Sequence, residues 1–319
     1  MIMKGSILHN FKLIIISFIL AITGAATSLS FAQQPMDKTA DFGIDVTVSA
    51  ITIAVTVQKN GGKYINDLEA KDLIVYENSE ISEDIKVRIF EAMLRVPTAG
   101  NMMLYTVIEV KDQDIKDTLA KTCDNQPFIA KAPLVLLFLA DYQRWQNYFM
   151  MSEIEHFCEQ KKLPIRKPEE GDLFLACCDA IIAAQTAAIA AESFGIGSCY
   201  VGDIMENYEV HKKSFNLPQY VFPICLLCFG YPTKQQKEKG LTSRFDKKFI
   251  IFKDRYNWLK EEDLREMYEG RQKQTFGDKN SIQSCGNFGQ LMYLRKFIAS
   301  FSIERNRSVR AILKVWKEL

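Results

Sequence analysis

Two short, glycine-containing turns carry the groups that could bind a polar ligand. The first is PTAGN at 97–101, where Thr98 and Asn101 flank Gly100, and short polar side chains beside a glycine suit hydrogen bonding to a ligand. The second is GIGSCYVGD at 195–203, whose glycines allow a ligand to approach the backbone closely. Neither turn has the G-x-G-x-x-G spacing, so a dinucleotide-binding fold of that type is not indicated. For the first turn, a capped connection between a helix and a strand is the alternative.

The eight cysteines could carry redox or metal chemistry, but their setting argues against it. Most lie inside apolar runs such as LACCDA and PICLLCFG, where a free thiol behaves as a small buried hydrophobic group. Cys225 and Cys228 form a C-x-x-C pair, yet no second pair and no His lies nearby. In a strand, a spacing of three points the two side chains to opposite faces. We therefore predict no metal site.

The N-terminus and the cysteines give opposite indications of compartment. Lys4 and Lys12 precede the apolar run LIIISFILAITGAA, and SFAQQ offers small residues for cleavage near Ala32, a pattern typical of an export signal. The run is shorter than the roughly 20 residues that span a bilayer, so an uncleaved anchor helix is the less favoured alternative. Export would place the thiols in an oxidising compartment, whereas their apolar settings suit buried, unpaired cysteines.

Composition and pattern divide the chain into three predicted parts: a signal-like segment at 1–32, a β-rich leader at 33–79 and a larger domain at 80–319. The whole sequence is 48% hydrophobic and 25% charged with a net charge of +1, which is typical of a folded protein with a large core and suggests no nucleic-acid partner. In the leader, FGIDVTVSAITIAVTV alternates apolar and polar residues, KNGGK predicts a turn and LIVYEN predicts a further strand. The stretch VTVQKNGGKYINDLEAKDLIVYEN resembles the start of secreted bacterial proteins with a von Willebrand factor A-type domain. The Asp-x-Ser-x-Ser metal motif of that domain occurs nowhere in this chain.

Helix and strand signals alternate after residue 80. SEDIKVRIFEAMLRV predicts a helix capped by Ser82, while LYTVIEV, APLVLLFLAD and VFPICLLCFGYP predict strands. APLVLLFLAD is apolar on both faces, so we expect it at the centre of a sheet. The last part, from about 285, has helical periodicity. This order predicts one α+β domain with a layered sheet.

The Ala-rich stretch from Asp172 to Phe194 predicts a long helix that is apolar all round, and we expect it to be buried on every side. A membrane span is the first alternative, but Asp179, Gln185 and Glu192 interrupt the run, and Ala contributes little to membrane partitioning. A core helix without a function is the second. The turn that follows the helix favours a third interpretation, in which the helix forms the wall of a ligand site.

Taken in order, several segments resemble the flavin-dependent nitroreductase family over residues 80–319. They are EAMLRVPTAGN, QPFIAKAPLVLLFLAD, DAIIAAQTAAIAAESFGIGSCYVGD, LPQYVFPICLLCFGYP and a late SRFD. The resemblance implies an α+β fold with a central, mostly antiparallel sheet, and a homodimer with an arm from about 285. It also implies FMN at the subunit interface, with a hydride passing from NAD(P)H through the flavin to a nitroaromatic or quinone acceptor. Independently of the resemblance, the polar interruptions of the Ala-rich run lead us to expect no stable membrane span in the mature chain.

The resemblance also implies which residues bind the cofactor. Thr98, Gly100 and Asn101 match the turn against the flavin and its ribityl chain. Four residues match the loop whose backbone N–H groups face the flavin ring: Tyr200, Val201, Gly202 and Asp203. Arg244 matches a late basic residue that reaches the phosphate, a role that suits a bidentate guanidinium. Because the isoalloxazine carries the redox chemistry, no catalytic side chain is expected.

Two departures from the family pattern affect the expected function. The family's Arg-Arg-Ser-x-Arg phosphate motif is replaced by LIVYENSE, and its Asn-x-Gln-Pro is replaced by Asn101 followed by Met, Met and Leu. ERNRSVRAI, which begins at Glu304, looks similar but continues into a periodic helix, so we interpret it as part of that helix. The prediction is an FMN-dependent NAD(P)H oxidoreductase impaired by loss of its phosphate motif. The alternative is a flavin-free exported interaction or scaffold protein that keeps the fold.

Overall fold

The computed structural model describes residues 58–59, 63–64, 76–238 and 241–317. The predicted export signal and most of the predicted leader therefore lie outside the described residues. Within the leader, β1 (Gln58–Lys59) and β2 (Lys63–Tyr64) pair antiparallel on either side of 60–62, where the sequence predicts a turn.

A four-stranded antiparallel sheet forms the centre of the domain. Its strands are β3 (Tyr105–Glu109), β4 (Leu134–Asp141), β5 (Gly197–Val201) and β6 (Val221–Gly230). They lie in the order β3-β4-β6-β5, and every neighbouring pair is antiparallel. β4 is buried along its whole length, so its predicted central position is confirmed.

A β-bulge accommodates a proline in β6. The pairing register between β4 and β6 shifts between Phe138 and Leu139, where Leu139 lies opposite Pro223 and Ile224 is left over. Proline has no N–H to donate to a ladder and is tolerated in sheets at bulges or edges. β5 pairs with β6 only between Leu226 and Gly230, so at Pro223 no bond to β5 is lost.

Alternate residues of the central strands face two separate hydrophobic cores. Val135, Leu137 and Cys228 belong to one core. Leu136 and Cys225 belong to the other. The opposite orientation predicted for the two cysteines is therefore confirmed, and all eight cysteines are free thiols.

Helices cover both faces and give the predicted layers. On one face lie α1 (Glu83–Leu94) and α6 (Glu170–Ser193). The two helices pack on each other, and α6 also packs on β4. On the other face lie α2 (Gln113–Thr122) and α3 (Phe128–Lys131). Ser82 caps α1 as predicted, because its hydroxyl accepts a hydrogen bond from the N–H of Ile85. The α+β, layered, mostly antiparallel fold is confirmed.

The Ala-rich helix α6 is buried on one side only, so the expectation of burial on every side is wrong for the single chain. Its alanines pack on the sheet, and Ala180, Ala184 and Ala187 are fully buried. The opposite side exposes large apolar residues: Phe174, Leu175, Ile181, Ile182 and Ile189. Sequence periodicity cannot separate these sides, because both are apolar. Among the described residues, α6 is the one helix long and apolar enough to cross a membrane.

The remaining helices lie at the two ends of the sheet and in the C-terminal part. They are α4 (Gln143–Met151), α5 (Ile154–Lys161), α7 (Tyr208–Ser214), α8 (Lys234–Lys237), α9 (Glu261–Phe276), α10 (Phe288–Met292) and α11 (Ser300–Lys317). α11 packs on its own chain, where the buried Trp316 donates its indole N–H to the carbonyl of Glu169 at 3.1 Å. ERNRSVRAI lies inside α11, as predicted, and Arg307 is bound there by Glu209 and Glu304.

Tyr76 joins the start of the domain to the end of β6. Its ring lies against Gly230, and its hydroxyl donates to the carbonyl of Cys228 at 3.3 Å. The N–H of Glu77 donates to the carbonyl of Tyr231 at 2.8 Å. The segment just before residue 80 is therefore attached to the sheet.

Candidate functional site

A buried carboxylate on α6 holds the first predicted turn. Asp179 is 2% exposed. Its Oδ1 accepts a hydrogen bond from the N–H of Ala99, and its Oδ2 accepts one from the N–H of Leu104, each at 3.0 Å. One side chain therefore fixes both ends of the turn relative to the helix that forms its floor.

The turn is also constrained from within. Gly100 and Asn101 have φ angles of +56° and +57°, a left-handed conformation that glycine and asparagine tolerate best. The hydroxyl of Thr98 accepts from the N–H of Met103 at 3.2 Å. Gly100 and Asn101 are exposed, so the turn presents its glycine and its amide side chain to solvent.

Two side chains of α4 bind the outgoing limb of the turn. Arg144 donates from Nη2 to the carbonyls of Met103 and Tyr105 at 2.6 and 2.8 Å. Trp145 donates from Nε1 to the carbonyl of Met102 at 2.8 Å. These bonds leave the limb little freedom, so the turn is a preformed feature of the single chain.

The second predicted site segment begins as a strand rather than as an open loop. Tyr200 and Val201 belong to β5, which lies at the edge of the sheet and is paired with β6 on one side only. The Tyr200 hydroxyl donates to Oε1 of Gln185 on α6 at 3.2 Å. A short 3-10 turn, Gly202–Met205, follows the strand. A Cβ placed on Gly202 would meet no heavy atom within 4 Å, so open space borders this glycine.

The side chain of Asp203 is engaged within the protein. Its Oδ2 accepts from Nε2 of Gln126 at 2.8 Å, and its Oδ1 lies 3.8 Å from a guanidinium nitrogen of Arg305 on α11. A ligand beside this turn would therefore meet its backbone, together with the side chain of Tyr200, which is 41% exposed.

Arg244 stands apart from both turns. It lies in the exposed segment before the 3-10 turn Lys247–Phe249, and its Nη1 donates to the carbonyls of Thr242 and Ser243 at 3.0 and 3.4 Å. Within the described parts of the chain, no hydrogen bond or ion pair connects Arg244 to either turn. The structure thus places seven of the eight predicted site residues in two turns and leaves Arg244 outside them.

The two turns emerge at the same end of the sheet but at opposite edges. β3 begins at Tyr105, opposite Ala140, which in turn pairs with Phe222 near the start of β6. β5 ends at Val201 and runs antiparallel to β6, so the chain leaves β5 towards that same end. Three strand spacings separate the edges, which is about 14 Å. In one chain the turns therefore face a common end without touching.

Helix α6 connects the two turns. Asp179 holds the first and Gln185 contacts the second, and six residues correspond to about 9 Å along a helix. Sequence reasoning treated both residues only as polar interruptions of an apolar run. The sequence did contain a signal for the contact made by Asp179. A carboxylate in the middle of a long Ala-rich helix is expected to be buried, and a buried charge needs hydrogen-bond donors from another part of the chain.

Burial keeps the neighbouring thiols neutral. It raises the pKa of Cys199 on β5 to about 11 and those of Cys177 on α6 and Cys225 on β6 to about 12. Because the thiolate is the nucleophilic form, these cysteines offer no nucleophile near neutral pH. His211 is also buried, with a pKa below its ordinary value because of desolvation, and its two ring nitrogens contact Ile204 and Thr122.

Comparisons with known proteins agree with this geometry. Residues 75–231 match the nitroreductase family. The chain is 24% identical over 233 residues to a Cr(VI) reductase from Pseudomonas sp. (strain G-1), covering 73% of this chain and 88% of that protein. It is 32% identical over 164 residues to FMN reductase [NAD(P)H] from Bacillus subtilis (strain 168), covering 51% of this chain and 63% of that protein.

A solved structure shows the same fold. Nitroreductase A from Vibrio parahaemolyticus RIMD 2210633 superposes with a TM-score of 0.61 at 19% identity, covering 76% of this chain and 92% of that one. The family match begins at 75, inside the LIVYENSE segment that stands where the resemblance places the phosphate motif, and ends one residue beyond β6. It contains the whole sheet and both turns. Over residues 75–231 the chain is therefore similar to the nitroreductase family.

Proposed function

We propose that this protein is an FMN-dependent NAD(P)H oxidoreductase that works as a homodimer. The observation that carries the proposal is the pair of preformed turns at one end of a nitroreductase-like sheet, one held by Asp179 and the other ending in Gly202. The names of the relatives support it, since one is an FMN reductase [NAD(P)H] and another a Cr(VI) reductase.

The residues of the second turn fit the ring of a flavin. Open space borders Gly202, so a planar ring can approach the backbone there without meeting a side chain. The outer edge of β5 is free of strand pairing, which leaves backbone groups available to the ring. When bound, FMN would supply the two-electron chemistry between NAD(P)H and an acceptor. Backbone N–H groups at 201–203 would stabilise negative charge on the ring.

The part of the proposed site that would bind the FMN phosphate has fewer positive charges than the family pattern provides. Among the residues that the resemblance assigns to FMN, Arg244 is the one cation, and the described part of the replaced motif carries Glu77 and Glu80. Hydrogen bonds to charged groups contribute about 1.5–3 kcal/mol each, so losing two or three would weaken FMN binding by several orders of magnitude. We therefore expect FMN to dissociate readily from the purified protein.

The dimer follows from the exposed side of α6. Its large apolar side chains form a patch that a second copy would cover: Phe174, Leu175, Ile181, Ile182 and Ile189. Two turns separated by about 14 Å in one chain can contact a single ligand if one turn comes from each subunit. We propose that FMN binds in this way, and that the acceptor is a planar nitroaromatic or quinone lying over the exposed ring face.

The function is tested with the purified full chain. FMN is added at increasing concentration, quenching of flavin fluorescence gives the affinity, and oxidation of NADH and NADPH is followed with a quinone and a nitroaromatic. We expect saturable FMN binding and FMN-dependent turnover. A protein that FMN cannot reconstitute at millimolar concentration contradicts the proposal and supports the flavin-free scaffold.

Arg244 provides a test specific to the phosphate. Arg244→Gln should weaken FMN binding by about 10- to 100-fold, since a charge-assisted bond contributes about 1.5–3 kcal/mol. Riboflavin lacks the phosphate, so its affinity should change less than about twofold. Arg255→Gln, in the same C-terminal segment, serves as the matched control. An equal effect of Arg244→Gln on both flavins would contradict the assigned role.

A further inference from the structure

A buried carboxyl group, Glu206, lies directly beyond the second turn and beside the partly exposed Asp203 of that turn. Glu206 follows the 3-10 turn Gly202–Met205 and is 3% exposed. Its Oε1 is buried and has no hydrogen-bond partner, the one such side-chain atom among the described residues. Its carboxyl is a near neighbour of that of Asp203, three residues earlier, and the N–H of Glu206 donates to the carbonyl of Asp203 at 2.9 Å. Two carboxyl groups therefore lie close together, next to the glycine that borders open space.

The surroundings favour one negative charge at this pair rather than two. Arg305 of α11 lies beside Asp203 and balances one carboxylate. Asp124, at the end of α2, faces the same cluster and adds a further acid. Burial, followed by the charge of Asp203, raises the pKa of Glu206 to about 8. Burial also raises the pKa of Asp124, which Lys296 partly offsets.

Two further titratable groups around the turn, Cys123 and His211, are neutral near pH 7. Glu304 of α11, in contrast, accepts from the N–H of Asn207 and stays ionised because Arg307 lowers its pKa to about 2. Burial raises the pKa of Cys123, on the α2 side, well above its ordinary value. His211 of α7 contacts the carbonyl of Ile204 in the middle of the turn, and burial lowers its pKa. If Glu206 ionised, the cluster would therefore gain a second carboxylate facing Asp203 with no new cation to balance it.

We propose that Glu206 is a positioning residue: its neutral carboxyl O–H donates a hydrogen bond to the Asp203 carboxylate and so holds the Gly202–Met205 turn against α2 and α11. Gln126 binds the same Asp203 carboxylate from the α2 side at 2.8 Å, and Arg305 approaches it from α11. Loss of the proton replaces a hydrogen bond with repulsion between the buried Glu206 carboxylate and the neighbouring Asp203 carboxylate. The turn then moves, and with it the backbone at Val201 and Gly202.

Two pH windows follow from this arrangement. A buried acid whose pKa is raised from an ordinary value near 4.5 to about 8 keeps its proton in the folded state while the unfolded state loses it. Stability should therefore fall as pH rises from about 4.5 to 8 and level off above 8. A ligand that needs the ordered turn should bind equally well below about pH 8 and about tenfold more weakly for each further pH unit.

The experiment compares the full-length wild type with Glu206→Gln, whose side chain is always neutral. Urea unfolding without FMN is measured from pH 5 to 9.5, and the FMN dissociation constant is measured over the same range. We expect the wild type to show both windows. Glu206→Gln should keep the wild-type FMN affinity at pH 7 and change less than about twofold up to pH 9.5. Glu209→Gln, at an exposed carboxylate, should behave as the wild type.

A second variant covers the case in which Glu206→Gln does not fold. Asp203→Asn removes the neighbouring charge and should move the stability window to lower pH. Equal pH dependence in the wild type and in Glu206→Gln overturns the inference. The measurement of FMN affinity rests on the proposed function, whereas the measurement of urea unfolding does not. A protein that binds no FMN would end the proposed function, and the unfolding slopes would still decide whether the carboxyl pair shares a proton.

Discussion

At the scale of single residues, Asp179 contributes most to the architecture of the candidate site. It is the polar group that ties a turn outside the sheet to the helix that covers the sheet. A buried carboxylate is costly unless donors satisfy its oxygens. Here each oxygen is satisfied by a backbone N–H of the same turn, so the charge and the turn stabilise each other.

We predict that Asp179→Asn lowers the free energy of unfolding by about 2–3 kcal/mol. The amide keeps one acceptor oxygen but places an NH₂ group against a backbone donor, and a hydrogen bond to a charged group contributes about 1.5–3 kcal/mol. Urea unfolding measures the change. Hydrogen exchange should also become faster at the N–H groups of Ala99 and Leu104.

Asp84→Asn is the matched control for this prediction. Asp84 lies on the exposed side of α1 and pairs with Arg88 at 3.2 Å. An exposed pair of this kind contributes about 0–1 kcal/mol, so the control should change stability little. Equal effects of the two substitutions would show that Asp179 has no special role.

At the scale of elements, the end of β6 depends on a glycine. A Cβ placed on Gly230 would lie 2.5 Å from Cδ1 and 2.7 Å from Cγ of Tyr76. Gly230→Ala must therefore displace a buried aromatic ring whose hydroxyl is hydrogen-bonded to Cys228. Overpacking of this kind costs about 1–3 kcal/mol, and we predict a loss of stability in that range by urea unfolding.

A double-mutant cycle separates this contact from other effects of the substitution. In a Tyr76→Ala background the obstructing ring is absent, so Gly230→Ala should cost much less than in the wild type. Gly270→Ala, in the middle of α9 with no atom within 4 Å of the added Cβ, should be neutral or stabilising. Additive effects of the Tyr76 and Gly230 substitutions would contradict the direct contact.

The same elements show how far sequence reasoning reaches. β4 and β6 were predictable because long runs that are apolar on both faces, rich in Leu, Val, Ile and Phe, have few alternatives in a layered fold. β5 was not predictable, since GSCYV is short and contains Gly, Ser and Cys. It forms a strand because it pairs with β6, which is distant in sequence. The contacts of Asp179 join residues 80 and 75 positions apart, a relation that local pattern cannot contain.

At the scale of the whole molecule, the single chain presents one of the two candidate turns at each edge of one sheet. The first turn lies beside β3 and the second beside β5, with α6 between them. The outward side of that helix is apolar, and Ile182 lies near its middle with 38% of its surface exposed. Association through this side would cover the patch and bring turns from different subunits together.

We predict that Ile182→Lys converts the proposed dimer to a monomer and weakens FMN binding at least tenfold. A lysine at the centre of an apolar interface buries an unpaired charge, which association cannot offset. Sedimentation velocity at micromolar concentration measures the oligomeric state, and flavin fluorescence measures the affinity on the same samples. Val210→Lys, at a residue of α7 with 43% exposure, adds the same charge away from α6 and should leave both unchanged. Because each turn alone supplies half of the contacts, a monomeric Ile182→Lys protein with wild-type FMN affinity would refute the shared site.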